Sequence, residues 1–393
     1  MNKLILNTSI QNFIEKNIDT DIMSVLLKKQ LFEGVSQKEL ARQIEVKKKC
    51  KKKLPTWFKT PKIFYPKKLN FEQTSSEKTA SYKSRIVSGK TLLDLTVGFG
   101  VDSYFFSKIF AAVSCCEINA ELAKITRHNF EILEVSNINV IPSDGISFLQ
   151  HTKKRFDCIY LDPSRRDDSK GKVFRLSDCS PNVLVLLNAI FNKTDTVLIK
   201  TSPLLDIRLG LNELMHVSEI HIVAVKNEVK ELVWLLKKDF HGSASIKTIN
   251  IKKKSAERFD FGLEEESVST SDFSLPLKYL YEPNSAILKS GAFKLVGKRF
   301  SLKKLHGHSH LYTSNELIDF PGRSFHIQNI LSYGKRLRQN LDLATANITV
   351  RNFPHSVATI RRRFKFKDGG EYYLFFTKDF NNHLIVLKCL KKE

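Results

Sequence analysis

The sequence predicts an α/β protein: a largely parallel sheet covered by helices, with a helical segment before it and small α+β units after it. Three observations predict this. Between about residues 70 and 262, short apolar runs alternate with helical patterns, as expected for strands buried on both faces of a parallel sheet. A glycine-bearing turn, LLDLTVGFGVDS (Leu92 to Ser103), stands where the first strand gives way to a helix. Polar HGSAS and acidic EEESVSTSD then mark surface connections, and the regular alternation does not resume.

Taken in order, residues 1 to about 45 place Ile22, Val25 and Leu26, then Leu40 and Ile44, at helical spacing, with Gly34 and Ser36 as punctuation. From Val46 to Lys68 ten lysines occur without one acidic residue, interleaved with Trp57, Phe58, Phe64 and Tyr65. This reads as a basic segment whose lysines meet phosphates and whose exposed rings stack on bases. LNFEQTSSEKTASYKSRIV begins irregularly, becomes helical and leads into the first strand, TLLDLTV (Thr91 to Val97). AAVSCCEI follows, then a helix from about Asn119 with Leu122, Ile125 and Ile132 on one face. NINVIPSD, FDCIYLDP, a helix from about Ser180, TVLIKTSP and SEIHIVAVKN complete the pattern. Beyond it, YLYEPNSAILKSGAF, SFHIQNIL and the block from Ala346 suggest one or two small α+β units.

Composition narrows the function. At 393 residues the chain exceeds what one hydrophobic core serves, and 42% hydrophobic residues exclude a disordered or fibrous protein. Lys and Arg number 64 against 41 Asp and Glu, a formal charge of +23, which points to a polyanionic partner. The six cysteines are scattered without a C-x-x-C pair, so neither a disulfide scaffold nor a zinc site is expected. His306, His308 and His310 alternate, but no acidic partner follows until Glu316, and a polar loop is expected there in place of a metal site. No signal peptide and no apolar membrane span is legible, so a cytoplasmic protein is expected.

The turn after the first strand carries the cofactor reading. Gly98 and Gly100 let the backbone turn sharply and approach a ligand. Asp94, four residues before Gly98, can meet the cationic methionyl end of S-adenosylmethionine. Ser103 stands where a dinucleotide-binding turn would have its third glycine. Glu117, seventeen residues after Gly100 at the end of strand two, is placed to accept from both ribose hydroxyls. Asp144, after strand three, can accept from an adenine amino group, although a helix cap is its other reading. A sulfonium nucleoside fits this set better than a nicotinamide cofactor does.

Strand four ends in Asp162-Pro163-Ser164-Arg165-Arg166, beside the expected methyl group. Methyl transfer is an in-line displacement in which the protein mainly positions the nucleophile and excludes water. A proline-stiffened loop bearing Asp162 can accept the hydrogens of an amine or ring nitrogen, and Arg165 and Arg166 can grip a phosphate or pair with Asp167 and Asp168. The aromatic residue that often follows such loops in exocyclic-amine methyltransferases is absent. Strand five ends in Lys200, Thr201, Ser202 and Pro203, facing the same pocket. No cysteine stands at either strand end, which disfavours the pyrimidine C5 mechanism and its covalent addition.

Together EQTSSEKTASYK, LLDLTVGFGVD, LDPSRR, VKNEVKELVW, YEPNSAILKSGAF and ANITVRNFPHSVATIRRRFKFKDGGEYYLFFT resemble a bacterial family of class I S-adenosylmethionine-dependent methyltransferases with a C-terminal THUMP-like domain. The resemblance runs from about Leu69 to Lys388. It implies a Rossmann-like methyltransferase sheet over 70–262 after a helical and basic segment over 1–69. A small ferredoxin-like domain over 276–320 and a THUMP-like, RNA-binding domain over 321–393 would follow. It implies that Asp94, Thr96, Gly98, Gly100, Asp102 and Glu117 line the cofactor pocket and that Asp162 to Arg166 form the reaction loop. The stretch Gln73 to Lys83 would close over the cofactor. Val97 stands where the family commonly has glycine. In the C-terminal block Arg351, Arg361, Arg362, Arg363, Lys365 and Lys367 gather near aromatic-rich strands. The expected activity is methylation of a base in tRNA or rRNA. A protein or small-molecule methyltransferase, or a non-catalytic RNA-binding factor with a retained fold, is the alternative.

Overall fold

The computed structural model describes residues 1–165 and 175–392. It divides into two compact units, one of residues 1–220 and 230–242, the other of 221–229 and 243–393.

The first unit opens with helices α1 (Thr8–Lys16), α2 (Ile22–Leu26), α3 (Gln37–Lys53), α4 (Pro55–Lys59), α5 (Lys68–Gln73) and α6 (Glu77–Lys83). The lysine run is therefore largely helical. Ser36 and Glu39 form a capping box that starts α3. Leu40, Ile44, Val46 and Cys50 turn one side of this helix into the core, and most of its lysines occupy the rest of the surface.

The expectation that the rings of this segment stand exposed is corrected. Trp57, Phe64 and Tyr65 are buried, in one cluster with Phe99, Val101, Ile125 and Val140. Trp57 meets Tyr104 edge-on at 4.8 Å and leans on Phe99 at 6.4 Å. The extended stretch between α4 and α5 has no ladder partner among the described residues, and buried amide side chains satisfy part of its backbone. Gln43 donates to the carbonyl of Tyr65 (2.8 Å) and accepts from its N–H (2.9 Å). Asn129 does the same for Phe64 at 3.0 and 2.9 Å.

The sheet then alternates as expected: β1 (Thr91–Asp94), α7 (Val101–Phe106), β2 (Ala112–Cys116), α8 (Ala120–Ile132), β3 (Ile138–Ile141), α9 (Gly145–His151), β4 (Cys158–Leu161), the short pair β5 (Ser164–Arg165) and β6 (Cys179–Ser180), α10 (Val183–Phe191), β7 (Thr196–Thr201), α11 (Ile207–Glu213), β8 (Val217–Val225) and β9 (Glu228–Lys237). Strand order is β8-β9-β7-β4-β1-β2-β3. The pairs β2–β3, β1–β2, β1–β4 and β4–β7 are parallel, whereas β9 runs antiparallel to β7. SEIHIVAVKN is a strand as its apolar run predicts, and a second strand that the alternation does not predict follows it directly. Lys226 and Asn227 both have positive φ, 53° and 64°, the two-residue turn that folds a chain straight back, so β9 returns beside β8 and its other edge pairs with β7.

The second unit holds the antiparallel pair β10 (Ser245–Ile251) and β11 (Ala256–Gly262), α12 (Leu263–Val268), and a seven-stranded sheet. That sheet is built from β12 (Tyr279–Pro283), α13 (Ser285–Ser290), α14 (Phe293–Arg299), β13 (Lys303–Lys304), β14 (Tyr312–Ser314), β15 (Gly322–Ser332), α15 (Leu337–Leu341), β16 (Asn347–Val350), α16 (Val357–Phe364), β17 (Tyr372–Lys378) and β18 (Leu384–Lys392). Because β12 pairs with β15, the regions before and after residue 321 share one sheet, in the order β13-β14-β12-β15-β18-β17-β16. Glu282, buried on β12, accepts from Arg323 (Nε, 2.7 Å) and Arg351 (Nη2, 2.8 Å). No helix among the described residues is long and apolar enough to cross a membrane.

If the N-terminal segment is core, Trp57→Ala should lower the unfolding free energy by about 3–5 kcal/mol, measured by chemical denaturation. Lys51→Ala on the exposed side of α3 should leave it within about 0.5 kcal/mol.

Candidate functional site

A cleft of about 660 Å³ lies within the first unit at the carboxyl ends of β1, β2, β4 and β7, the edge where open α/β sheets bind ligands. Asp94, Thr96, Gly98, Asp102, Glu117, Asp144, Asp162, Pro163 and Ser164 all line it. Gly100 and Lys83 do not.

Asp94 ends β1 and is 1% exposed. One oxygen accepts from the Thr96 N–H (2.9 Å) and the other from the Ser103 hydroxyl (2.6 Å). Burial nonetheless pushes its carboxyl up to about 7. Ser103, read from sequence as a missing glycine, thus orients the carboxylate.

Gly98 has φ +56°, and the nearest atom to a Cβ there is 4.0 Å away, so its bare face borders the cleft. Its N–H donates to Glu117 Oε2 (3.0 Å), and its carbonyl accepts from Thr126 (2.8 Å). Gly100, at φ +86°, faces α8: a Cβ would lie 2.6 Å from the Phe130 ring. It packs the turn against α8 and forms no wall of the cleft.

Glu117 follows β2. Its other oxygen accepts from the Asn119 N–H (2.9 Å), and burial raises its pKa against these two hydrogen bonds. Each oxygen spends one lone pair on the backbone and keeps one for a ligand hydroxyl. Beside it Ile118 is three-quarters exposed and, with Leu122 and Ile146, gives the cleft an apolar side. Asp144 caps α9, accepting from the Ser147 N–H at 3.2 Å, and also borders the cleft.

The stretch before β1 covers one side, with Asn70, Gln73, Thr74 and Ser75 among the lining residues. Lys53 donates to the carbonyls of Phe71 and Glu72 (2.9 Å each) at the end of α5. Burial first, and then Lys200, lower its pKa to about 8.

Lys83 departs from its expected place. Wholly buried, it contacts Glu231 (2.7 Å), Ser75 (2.8 Å) and Asp102 (3.1 Å). Asp102 also accepts from Ser75 (2.8 Å) and Tyr160 (2.9 Å). Burial opposes ionisation of Asp102, but Lys83 and Lys200 hold its pKa below the ordinary range. Burial raises the pKa of Glu231. Lys83 therefore neutralises the wall behind the cleft, donating hydrogen bonds to Glu231 and Ser75 and pairing with the Asp102 charge. Tyr160 and Glu231 received no role from sequence. An acid inside the apolar run of β9 is the sole local signal for Glu231, and its partner lies 148 residues away.

In the reaction loop, the Asp162 N–H donates to Thr96 Oγ1 (2.7 Å), which ties the end of β4 to the turn after β1. Asp162 Oδ2 pairs with Lys200 Nζ at 2.5 Å. Burial lowers the Lys200 pKa, but Asp162, Glu231 and Asp102 raise it further, so it is held above its ordinary value. Ser164 donates to the Ser180 carbonyl (3.2 Å). Arg165 is described as backbone of β5, and the Arg166 expectation lies outside the described residues, as do Asp167 and Asp168. All six cysteines are buried free thiols. Cys116 borders the cleft beside Glu117, with burial pushing its thiol up to about 12.

Residues 279–321 match a ferredoxin-like domain family and residues 322–391 a THUMP domain-like family. The crystal structure of a methyltransferase candidate from Porphyromonas gingivalis is 33% identical, with a TM-score of 0.90 over 100% of this chain and 99% of that one. The chain belongs to that family, bacterial class I methyltransferases with a C-terminal THUMP-like domain. An uncharacterized RNA methyltransferase of Mycoplasma mobile is 26% identical over 99 residues, 25% of this chain. That match spans about a quarter of the relative's length, 27%.

In this methyltransferase-fold unit, Lys83→Met should cost about 3–5 kcal/mol of stability, because it strands two buried carboxylates. Lys83→Met/Glu231→Gln should recover part of that loss in a thermal melt.

Proposed function

We propose that this protein is a cytoplasmic S-adenosylmethionine-dependent methyltransferase that modifies a base in structured RNA, tRNA or rRNA, by direct transfer without a cysteine nucleophile. The observation that carries the reading is the convergence of Asp94, Gly98, Glu117 and Asp144 on one cleft at successive strand ends. The donor set suits the cofactor: a buried carboxylate for the cationic methionyl end, Glu117 with free lone pairs for two ribose hydroxyls, and Asp144 beside an apolar side for adenine. Its size falls within the roughly 300–1,000 Å³ usual for such ligands. When bound, the cofactor supplies an electrophilic methyl group on a sulfonium. Asp162 then accepts the hydrogen of the acceptor nitrogen, Thr96 fixes its loop, and the segment 70–75 shields the site from water.

RNA as substrate rests on charge. Lys51, Lys52, Lys59, Lys62 and Lys67 are exposed, and no ion pair is formed by them among the described residues. In the THUMP-like region Arg362, Lys365 and Lys367 are likewise exposed. Arg351 and Arg361, by contrast, are engaged with Glu282 and Asp368, and Arg363 bonds the Tyr333 hydroxyl at 2.8 Å. Such unneutralised groups bind phosphates by releasing counterions.

Nucleosides from each RNA class, taken from cells with and without the gene, should differ by one methylated nucleoside when compared by mass spectrometry. Identical profiles would contradict the RNA assignment and favour the protein or small-molecule reading. Full biological activity of Asp162→Ala would favour a non-catalytic factor.

A further inference from the structure

The cleft carries a pair of unlike groups that the proposed activity alone does not require. Asp162 and Lys200 come from the ends of adjacent strands, β4 and β7, and both border the cleft. They stand 2.5 Å apart and are partly open to it, with side chains 28% and 14% exposed. Only one Asp162 oxygen is engaged with Lys200. The ammonium has three donors, of which one bonds the carboxylate. The cleft therefore presents an acceptor and a cationic donor side by side.

We propose that the acceptor base is a lactam, methylated at its ring nitrogen (N1 of guanine or N3 of uracil), with Asp162 taking the N–H hydrogen and Lys200 donating to the adjacent carbonyl oxygen. This rests on the methyltransferase reading above. A lactam nitrogen is a poor nucleophile until its proton leaves, because its lone pair is shared with the carbonyl. As the proton passes to Asp162, negative charge spreads over nitrogen and oxygen, and a fixed cation at the oxygen stabilises it. The nitrogen electron pair forms the N–CH3 bond while the S–CH3 bond breaks and its electrons remain on sulfur. The products are a neutral thioether, an N-methyl lactam and a protonated Asp162, so charge and atoms balance.

An exocyclic amine makes the opposite demand. Its nitrogen becomes positive during transfer, and a second cation beside it opposes that charge. The loop agrees: no aromatic residue follows Asp162-Pro163-Ser164, where one often follows in exocyclic-amine methyltransferases, and the Ser164 hydroxyl is turned onto the Ser180 carbonyl. The surrounding carboxylates Asp162, Glu231 and Asp102 keep Lys200 protonated through the physiological range.

The test is in vitro methylation of total RNA from cells lacking the gene, using full-length protein and S-adenosylmethionine carrying an isotopic methyl label, followed by nucleoside identification. Label at guanine N1 or uracil N3 supports the inference. Label at an exocyclic amine, guanine N7 or a ring carbon overturns it while leaving RNA methylation standing, and no label in any RNA overturns both. A second readout separates an electrostatic from a structural role for Lys200. Lys200→Met should lower kcat on the order of 100-fold and make the residual rate climb with pH as the base ionises unaided. A loss with an unchanged pH profile would contradict the assignment.

Discussion

Two carboxylates at the ends of neighbouring parallel strands must be held ionisable and oriented inside a protein wall, and much of the first unit serves that constraint. β1 and β2 pair with Asp94 opposite Cys115, so Asp94 and Glu117 end side by side on one edge. Neither is left to find its own partners. Thr96 and Ser103 fix Asp94, and the N–H groups of Gly98 and Asn119 fix Glu117. The turn that supplies these donors needs positive φ at Gly98 and Gly100 and a firm backing. Phe99 and Tyr104 supply the backing by packing on Trp57. The N-terminal helices are thus a buttress for the turn, whatever else their lysines bind.

A second layer of charge makes the first tolerable. Burying Asp102 and Glu231 without a cation would cost several kcal/mol each. Lys83 sits between them, and Lys200 stands on the cleft side with Asp162. Removing either lysine leaves an unmatched carboxylate, but with different outcomes, since Lys83 is sealed off and Lys200 borders the cleft. The same residue type is sealed in the wall at one position and lines the cleft at the other.

Much of this was legible from residue order because it obeys local rules. The strand alternation, the G-x-G turn and the spacing of Asp94, Glu117 and Asp144 follow from how parallel sheets expose their carboxyl edge. What escaped depended on partners distant in sequence. Trp57, Phe64 and Tyr65 look like exposed rings among lysines until Gln43 and Asn129 bind the backbone between them. Lys83 resembles a cofactor ligand until Glu231 arrives from β9. Arg351 belongs to a basic run by sequence, yet Glu282 engages it inside the second unit. Charge counts thus overstate the basic surface open to a polyanion, and lysines and arginines without an acidic partner are its better measure.

The carboxylate of Asp94 offers the most direct measurement, because burial places its titration near neutrality. In the free protein it is charged above about 7 and takes up a proton below that. The affinity for S-adenosylmethionine, followed by isothermal titration calorimetry, should therefore rise as pH is raised through about 7, and Asp94→Asn should bind weakly with no such slope. Absence of binding at any pH, or an Asp94→Asn affinity equal to that of the wild type, would contradict the account.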